Sequence, residues 1–268
     1  MLQIIPLAAL GLGVGIILNY LADTLPRTRS ISSPTCVHCE AQVPLGYYLV
    51  WPQKCPECGR TNDRRLRSWI VDLTAVLTAV WLWEAAPQAL GYPLSLLLAA
   101  YFILIVVVDV EHRLILIPTV IAGAVLGLVS GTLLHGLQAT IIGGIVGYLI
   151  MFLLYKFGEL FARWISRARG EQLDEVALGF GDVNLAGVLG LILGWPVIVI
   201  GLILAILIGG LAGFLLIIAR LVLQRYRSFD AMPYAPYLIA AAALIIYFPE
   251  PIREMFRGFA NLFGQGFL

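Results

Sequence analysis

Charge is what this sequence has least of. Only 12% of its 268 residues are charged, about half the roughly 25% of a soluble globular domain. With 60% apolar residues and a mean hydropathy of +0.93, that scarcity excludes an ordinary water-soluble domain and points to the membrane class. Net charge is only +1, so no basic excess points to nucleic acid. No positively charged stretch precedes the first apolar run, and no small-residue cleavage site comes before Asn19. That run therefore reads as a retained first span rather than a cleaved signal peptide. No repeat of useful strength is present. Gly/Ala-rich runs at 142–147 and 209–213 read as close helix packing in lipid.

What the chain has is long apolar stretches. A bilayer core of about 30 Å takes about 20 helical residues. The expected fold is an all-α polytopic membrane protein with about eight transmembrane helices, at 2–21, 68–85, 92–110, 114–134, 139–157, 183–193, 197–223 and 236–248. The sixth and eighth are short. Gly194-Trp195-Pro196 reads as a turn between the sixth and seventh; a seven-span reading omits it. With eight spans, fifteen of the seventeen Lys and Arg fall on one side, seven of them in the loop 22–67, and only Arg253 and Arg257 fall on the other. The positive-inside rule makes the rich side cytoplasmic and puts the N-terminus outside. The second long loop, 158–181, is charged and is expected to extend the fifth span as a helix beyond the membrane.

All four cysteines lie in the first cytoplasmic loop, as Cys36-Val-His-Cys39, fifteen intervening residues, then Cys55-Pro-Glu-Cys58. Two C-x₂-C pairs at that separation form a tetrathiolate zinc pattern. Each knuckle aims two sulfurs at one ion, and Gly59 suits the turn after the second pair. Unligated thiols and disulfides are the alternatives, and a reducing cytoplasm disfavours the latter. Four protein ligands leave no open coordination, so Zn²⁺ is expected to be structural. A loop of about 46 residues is too small for a large core, and metal binding would supply much of its folding free energy. His38 reads as a bystander.

Two aspartates sit at span ends. Asp109 closes the run Tyr101-Phe-Ile-Leu-Ile-Val-Val-Val-Asp109, and Asp182 follows Gly179-Phe180-Gly181. The third span runs inward and the sixth outward, so both carboxylates are expected at the cytoplasmic boundary. A carboxylate at the centre of a membrane helix costs roughly 2.5–3.5 kcal/mol on insertion scales. Two that share a proton can run aspartyl hydrolysis, one taking a proton from water and the other polarising the scissile carbonyl. Gly179 and Gly181 would let a peptide approach closely and permit a tight bend. The bland readings are that Asp182 caps a helix and that Asp109 pairs with Arg113.

Taken together these residues resemble the type IV prepilin peptidases, membrane aspartyl proteases of the Gly-x-Gly-Asp type. The resemblance rests on Leu18-Asn19 through Leu25-Pro26, the paired C-x₂-C loop, Asp109 to Pro118, Gly179 to Gly190, and Pro233-Tyr-Ala-Pro-Tyr237. It implies a catalytic dyad of Asp109 and Asp182, and removal of the basic leader from type IV prepilins or type II secretion pseudopilins at the bacterial inner membrane. It also implies N-methylation of the new terminus from S-adenosylmethionine, as in many family members. The expected domains are a first span (1–21), a zinc-binding loop to which a methyltransferase role falls (22–67), and a peptidase core (68–268). The chain departs from the family pattern at Thr24, Asp72, Thr119 and Asn184. Two other function classes compete. One is a non-enzymatic zinc-loop scaffold or transporter whose acids bind a cation. The other is a Gly-x-Gly-Asp intramembrane protease with other substrates.

Overall fold

The computed structural model describes residues 4–33, 35–36, 38–43, 54–60, 65–169, 179–222 and 233–255. The charged stretch 170–178, with Arg64, Arg225, Arg227 and Arg257, lies outside them. The described residues are all-helical apart from loops and an isolated bridge between Thr35 and Gln42. The helices are α1 (Ile4–Thr28), α2 (Arg65–Ala85), α3 (Gly91–His112), α4 (Ile117–His135), α5 (Leu137–Arg169), α6 (Phe180–Leu193), α7 (Val197–Val222), α8 (Ala235–Tyr247) and α9 (Pro249–Met255). Six of them, α1 to α5 and α7, are long and apolar enough to cross a membrane; α6 and α8 are apolar but shorter. These are the two spans that the sequence marks as short. The turn at 194–196 separates α6 from α7, with Gly194 at φ 70° and the Trp195 N–H donating to the Ala139 carbonyl at 2.8 Å.

Several element ends differ from the sequence expectation, while the extension of the fifth span agrees with it. α1 continues seven residues past 21, through Pro26, to Thr28. Thr24 and Thr28 each bond back to the carbonyl four residues earlier, at 2.9 and 3.0 Å, which keeps this last turn regular. α5 runs 33 residues to Arg169, about 50 Å at 1.5 Å per residue, so the expected extension beyond a bilayer is present. α6 starts at Phe180, three residues before the expected span, because Gly179 ends the loop in an extended conformation (φ −76°, ψ 144°).

The chain divides into two compact units, Met1–Pro118 and Thr119–Leu268. In the first, Gly11 and Gly15 bring α1 onto α2. A Cβ at Gly11 would lie 2.7 Å from the Val76 Cα, and one at Gly15 would lie 2.6 Å from an Asp72 carboxylate oxygen. One turn further, buried Asn19 donates to that same oxygen at 2.8 Å and to the Ser68 carbonyl at 3.3 Å. Below these contacts Leu18, Ala22, Leu25, Val71, Leu104, Val108 and Leu116 form an apolar cluster of α1, α2 and α3.

In the second unit α6 packs against α5, α7 and α8. Gly143, Gly144 and Gly147 on α5 meet Ala186, Gly187 and Gly190 on α6, with backbones in direct contact. This is the small-residue packing that helices use where lipid gives no hydrophobic drive. The second glycine run behaves differently. Gly209 faces Tyr237 at 3.3 Å, while Gly210 and Gly213 have nothing within 4 Å.

A Cβ at Gly147 would lie 2.6 Å from the Ala186 carbonyl oxygen. Gly147→Ala is therefore expected to cost about 1–3 kcal/mol through overpacking. The cost should appear as a lower thermal midpoint in detergent. Gly210→Ala should leave the midpoint unchanged or raise it.

Candidate active site and metal centre

The four cysteine sulfurs lie within 4.8 Å of one another, with Cys36–Cys58 at 3.8 Å and Cys39–Cys55 at 3.6 Å. A tetrahedral Zn²⁺ with Zn–S bonds of about 2.3 Å sets its sulfurs about 3.8 Å apart; a disulfide needs about 2.05 Å. The donor set fits zinc. The two knuckles repeat one hydrogen-bond pattern. The Cys36 N–H donates to Ala41 and the Glu40 N–H to Cys36; the Cys55 N–H donates to Arg60 and the Gly59 N–H to Cys55, all at 2.9–3.1 Å. Glu40 and Gly59 both adopt positive φ, 58° and 65°. Around the sulfurs, among the described residues, the buried core is Cys36, Val43 and Cys55, with Cys58 against it.

The thiol electrostatics also call for a cation. Burial raises the Cys36 thiol, but the N–H groups of His38 and Cys39 and the thiols of Cys55 and Cys39 outweigh it, lowering it to about 6. Cys39 receives a favourable N–H from Ala41. Yet desolvation and the three neighbouring sulfurs push it up to about 12. One thiol ionises readily and opposes the next, and a divalent ion relieves that repulsion.

Asp109 lies in the last turns of α3, after an unbroken apolar run, and is 5% exposed. The helix closes behind it. Arg113 takes a left-handed conformation (φ 54°) and donates its backbone N–H to the Asp109 carbonyl at 2.8 Å. At the same end of this unit Arg67 Nη2 donates to Asp23 Oδ1 at 2.8 Å. Arg67 Nε lies 3.5 Å from Glu111 Oε1, and His112 Nε2 lies 3.7 Å from Glu111 Oε2. Sequence reasoning counted Arg67 only as a loop charge and assigned Asp23 and Glu111 no role. The signal it passed over is that Arg67 and Glu111 each sit in the terminal turn of their own helix that the macrodipole disfavours.

Asp182 is the third residue of α6 and is 9% exposed. Its carboxylate Oδ2 accepts the Gly179 N–H at 3.2 Å, and its own N–H donates to the Gly179 carbonyl at 3.1 Å. Asp182 thus supports the helix start, not as the N-cap residue expected in the bland alternative but from the third helical position, with Gly179 as the N-cap. A negative group in the first turn of a helix is also stabilised by the dipole. Gly179 uses backbone angles open to any residue; a Cβ there would sit 3.4 Å from Asp182 Oδ2, in ordinary contact. Phe180 stands edge-on to Tyr155 of α5 with ring centroids 5.8 Å apart, which fixes the start of α6. Tyr234, capping α8, is a neighbour that sequence reasoning named only as part of a motif. Burial, and after it the charge of Asp182, push its hydroxyl above the usual range.

Residues 96–214 match the type IV leader peptidase family. Asp109 and Asp182 both fall inside this segment, whereas the cysteine loop and Pro233–Tyr237 fall outside. The chain is also similar to the prepilin leader peptidase/N-methyltransferase of Stutzerimonas stutzeri, 25% identical over 89% of this chain and 77% of that protein. The proteins of the same name from Aeromonas hydrophila (24%; 87% and 78%) and Pectobacterium carotovorum (25%; 87% and 88%) are similar to it too. No solved structure matches. The resemblance to the type IV prepilin peptidases therefore holds over most of the chain, and the protein is a multi-pass membrane peptidase.

Metal analysis of the purified protein is expected to return about one zinc per chain. Cys36→Ser should lower that figure and make the segment between α1 and α2 more susceptible to protease. A full zinc content in Cys36→Ser would remove Cys36 from the ligand set.

Proposed function

We propose that the protein removes the basic leader of type IV prepilins or type II secretion pseudopilins, with Asp109 and Asp182 as the catalytic pair. The observation that carries the reading is that the matched peptidase segment contains two buried aspartates, one near the end of α3 and one in the first turn of α6. Two candidate crossings, α4 and α5, lie between them in the chain, which returns Asp182 to the side where α3 ends. The cation-rich loops assign that side to the cytoplasm and put the N-terminus outside. A leader rich in Lys and Arg stays in the cytoplasm while the hydrophobic helix behind it enters the bilayer. The scissile bond then lies at the depth of the two carboxylates.

In the reaction the two carboxyl groups share one proton. The ionised one takes a proton from the attacking water, and the neutral one donates to the scissile carbonyl oxygen as the tetrahedral intermediate forms. Any titration belongs to the pair and not to either residue. Gly179 and Gly181 leave the approach to Asp182 free of side chains. Zinc at Cys36, Cys39, Cys55 and Cys58 would hold the cytoplasmic loop folded and take no part in bond cleavage. The domain reading follows as a first span at 1–21, a zinc loop at 22–67 and a peptidase core at 68–268.

Asp109→Asn and Asp182→Asn, each alone, are expected to lower leader removal by about 10⁴-fold or more while the protein still inserts. Processing of a co-expressed prepilin by either variant at the wild-type rate would refute the pair.

The relatives' printed names favour a second activity on the same substrate, methylation of the new N-terminal amine. S-adenosylmethionine would supply the methyl group. Transfer of label from S-adenosylmethionine to a cleaved pilin is the expected outcome. Absence of transfer with leader removal intact would leave a peptidase alone.

A further inference from the structure

Arg67, Asp23 and Glu111 come from three helices and meet at one end of the first unit. Arg67 is in the first turn of α2, Asp23 is near the end of α1, and Glu111 is the penultimate residue of α3. Helix N-termini favour negative charge and C-termini favour positive charge. Arg67 and Glu111 run against that rule, and Arg67 pairs with carboxylates on two other helices. The side chains are largely withdrawn from solvent, with 12% of Arg67 and Asp23 and 19% of Glu111 exposed. At that burial the ion pairs are screened far less than surface pairs. The guanidinium is rigid and planar; it donates to Asp23 through Nη2 and faces Glu111 through Nε at 3.5 Å, an ion-pair contact and not a hydrogen bond. A lysine offers a single point of contact and cannot reproduce that bridge.

The position of the bridge along α3 gives it a consequence. Glu111 follows Asp109 by two residues, with only His112 left before the left-handed residue Arg113 ends the helix. A terminal turn frays unless something ties it down. Here the ties are the Arg113 N–H on the Asp109 carbonyl, Val108 in the apolar cluster, and the Arg67 bridge. Of these, the bridge alone reaches both α1 and α2 through charged groups. Local rules broken at two helix ends, and met by ion pairs across helices, are expected where structure serves a site.

We propose that Arg67 is a positioning residue for leader cleavage: by bridging Asp23 and Glu111 it holds the terminal turn of α3, and with it the Asp109 carboxylate. This rests on Asp109 being a member of the catalytic pair. A misplacement of about 1 Å at a reacting group can cost about 10²-fold in rate. Loss of the bridge should therefore lower kcat and leave substrate binding alone.

The test compares Arg67→Gln, Glu111→Gln, the double variant and Arg67→Lys with wild type and Asp109→Asn. Each is purified in detergent, checked for a folded thermal transition and assayed on a prepilin. Arg67→Gln and Glu111→Gln are each expected to lower kcat by about 10–100-fold with KM changed by less than about 2-fold. The double variant should be no worse than the poorer single, because the two act as one unit. Arg67→Lys should recover only a minor part of the loss. Wild-type kcat in both single variants, losses that multiply in the double, or a raised KM with kcat kept would each overturn the inference. If Arg67→Gln does not fold, Glu111→Gln and Arg67→Lys decide the same question. Full activity in Asp109→Asn would instead sink the aspartate reading. Loss there with normal Arg67 and Glu111 variants sinks only the present inference.

Discussion

A carboxylate at the edge of hydrocarbon keeps its place only if protein, and not lipid, surrounds it. For Asp182 the enclosing contact is the approach of α5 to α6. α6 has 14 residues and rises about 21 Å, short of a core of about 30 Å. Exposed to lipid on all sides, so short a helix would leave its end groups without partners. Instead Gly143, Gly144 and Gly147 let α5 lie directly on α6, α7 and α8 pack alongside, and Val183, Leu185, Ala186 and Ile192 are fully buried. The first turn, with Asp182 bonded to the Gly179 N–H, is thereby fixed against a long helix. α5 in turn can serve as the backing because it is the longest helix among the described residues.

The first unit solves the same problem with different means. It holds no comparable run of glycines beside Asp109. Small residues bring α1 onto α2 at Gly11 and Gly15, and polar groups take over one turn later, where Asn19 reaches Asp72 and Ser68. Below them come the apolar cluster and then the charges of Asp23, Arg67 and Glu111. Charged groups thus come last along α1 and α2, at the end where Asp109 lies, beyond the apolar cluster. That order lets a buried acid sit where the dielectric is rising, at a smaller desolvation cost than at the helix centre.

How much of this was legible beforehand follows from what each signal depends on. The helices were legible because a run of apolar residues long enough to cross a bilayer has few other uses. The two short ones were visible as apolar runs bounded by turn residues, and the turn at Gly194-Trp195-Pro196 from its glycine and proline. The cysteine cluster was legible because thiolate spacing is set by metal geometry and not by the rest of the fold. Element ends were less so. α1 runs seven residues past the expected end, through Pro26, because helix can continue after the apolar run that marks the span has stopped. The Arg67 bridge was hidden because its three members are 44 residues or more apart in sequence for one pair and similarly distant for the other. Charge topology had already used Arg67 as a marker of sidedness, which concealed its structural role. Of the two glycine runs, composition could not say that one lines an interface throughout and the other only at Gly209.

The two cysteine knuckles are near copies in hydrogen bonding but not in ease. Both require a left-handed residue four positions after the first cysteine; the second knuckle has Gly59 there and the first has Glu40. A residue with a Cβ holds that conformation at a cost of roughly 1–2 kcal/mol, and glycine does not. The loop is therefore built from a relaxed half and a sprung half around one centre. A metal held by the four thiols would have to hold the sprung half closed, and in its absence the strain at Glu40 would favour opening of the first knuckle over the second.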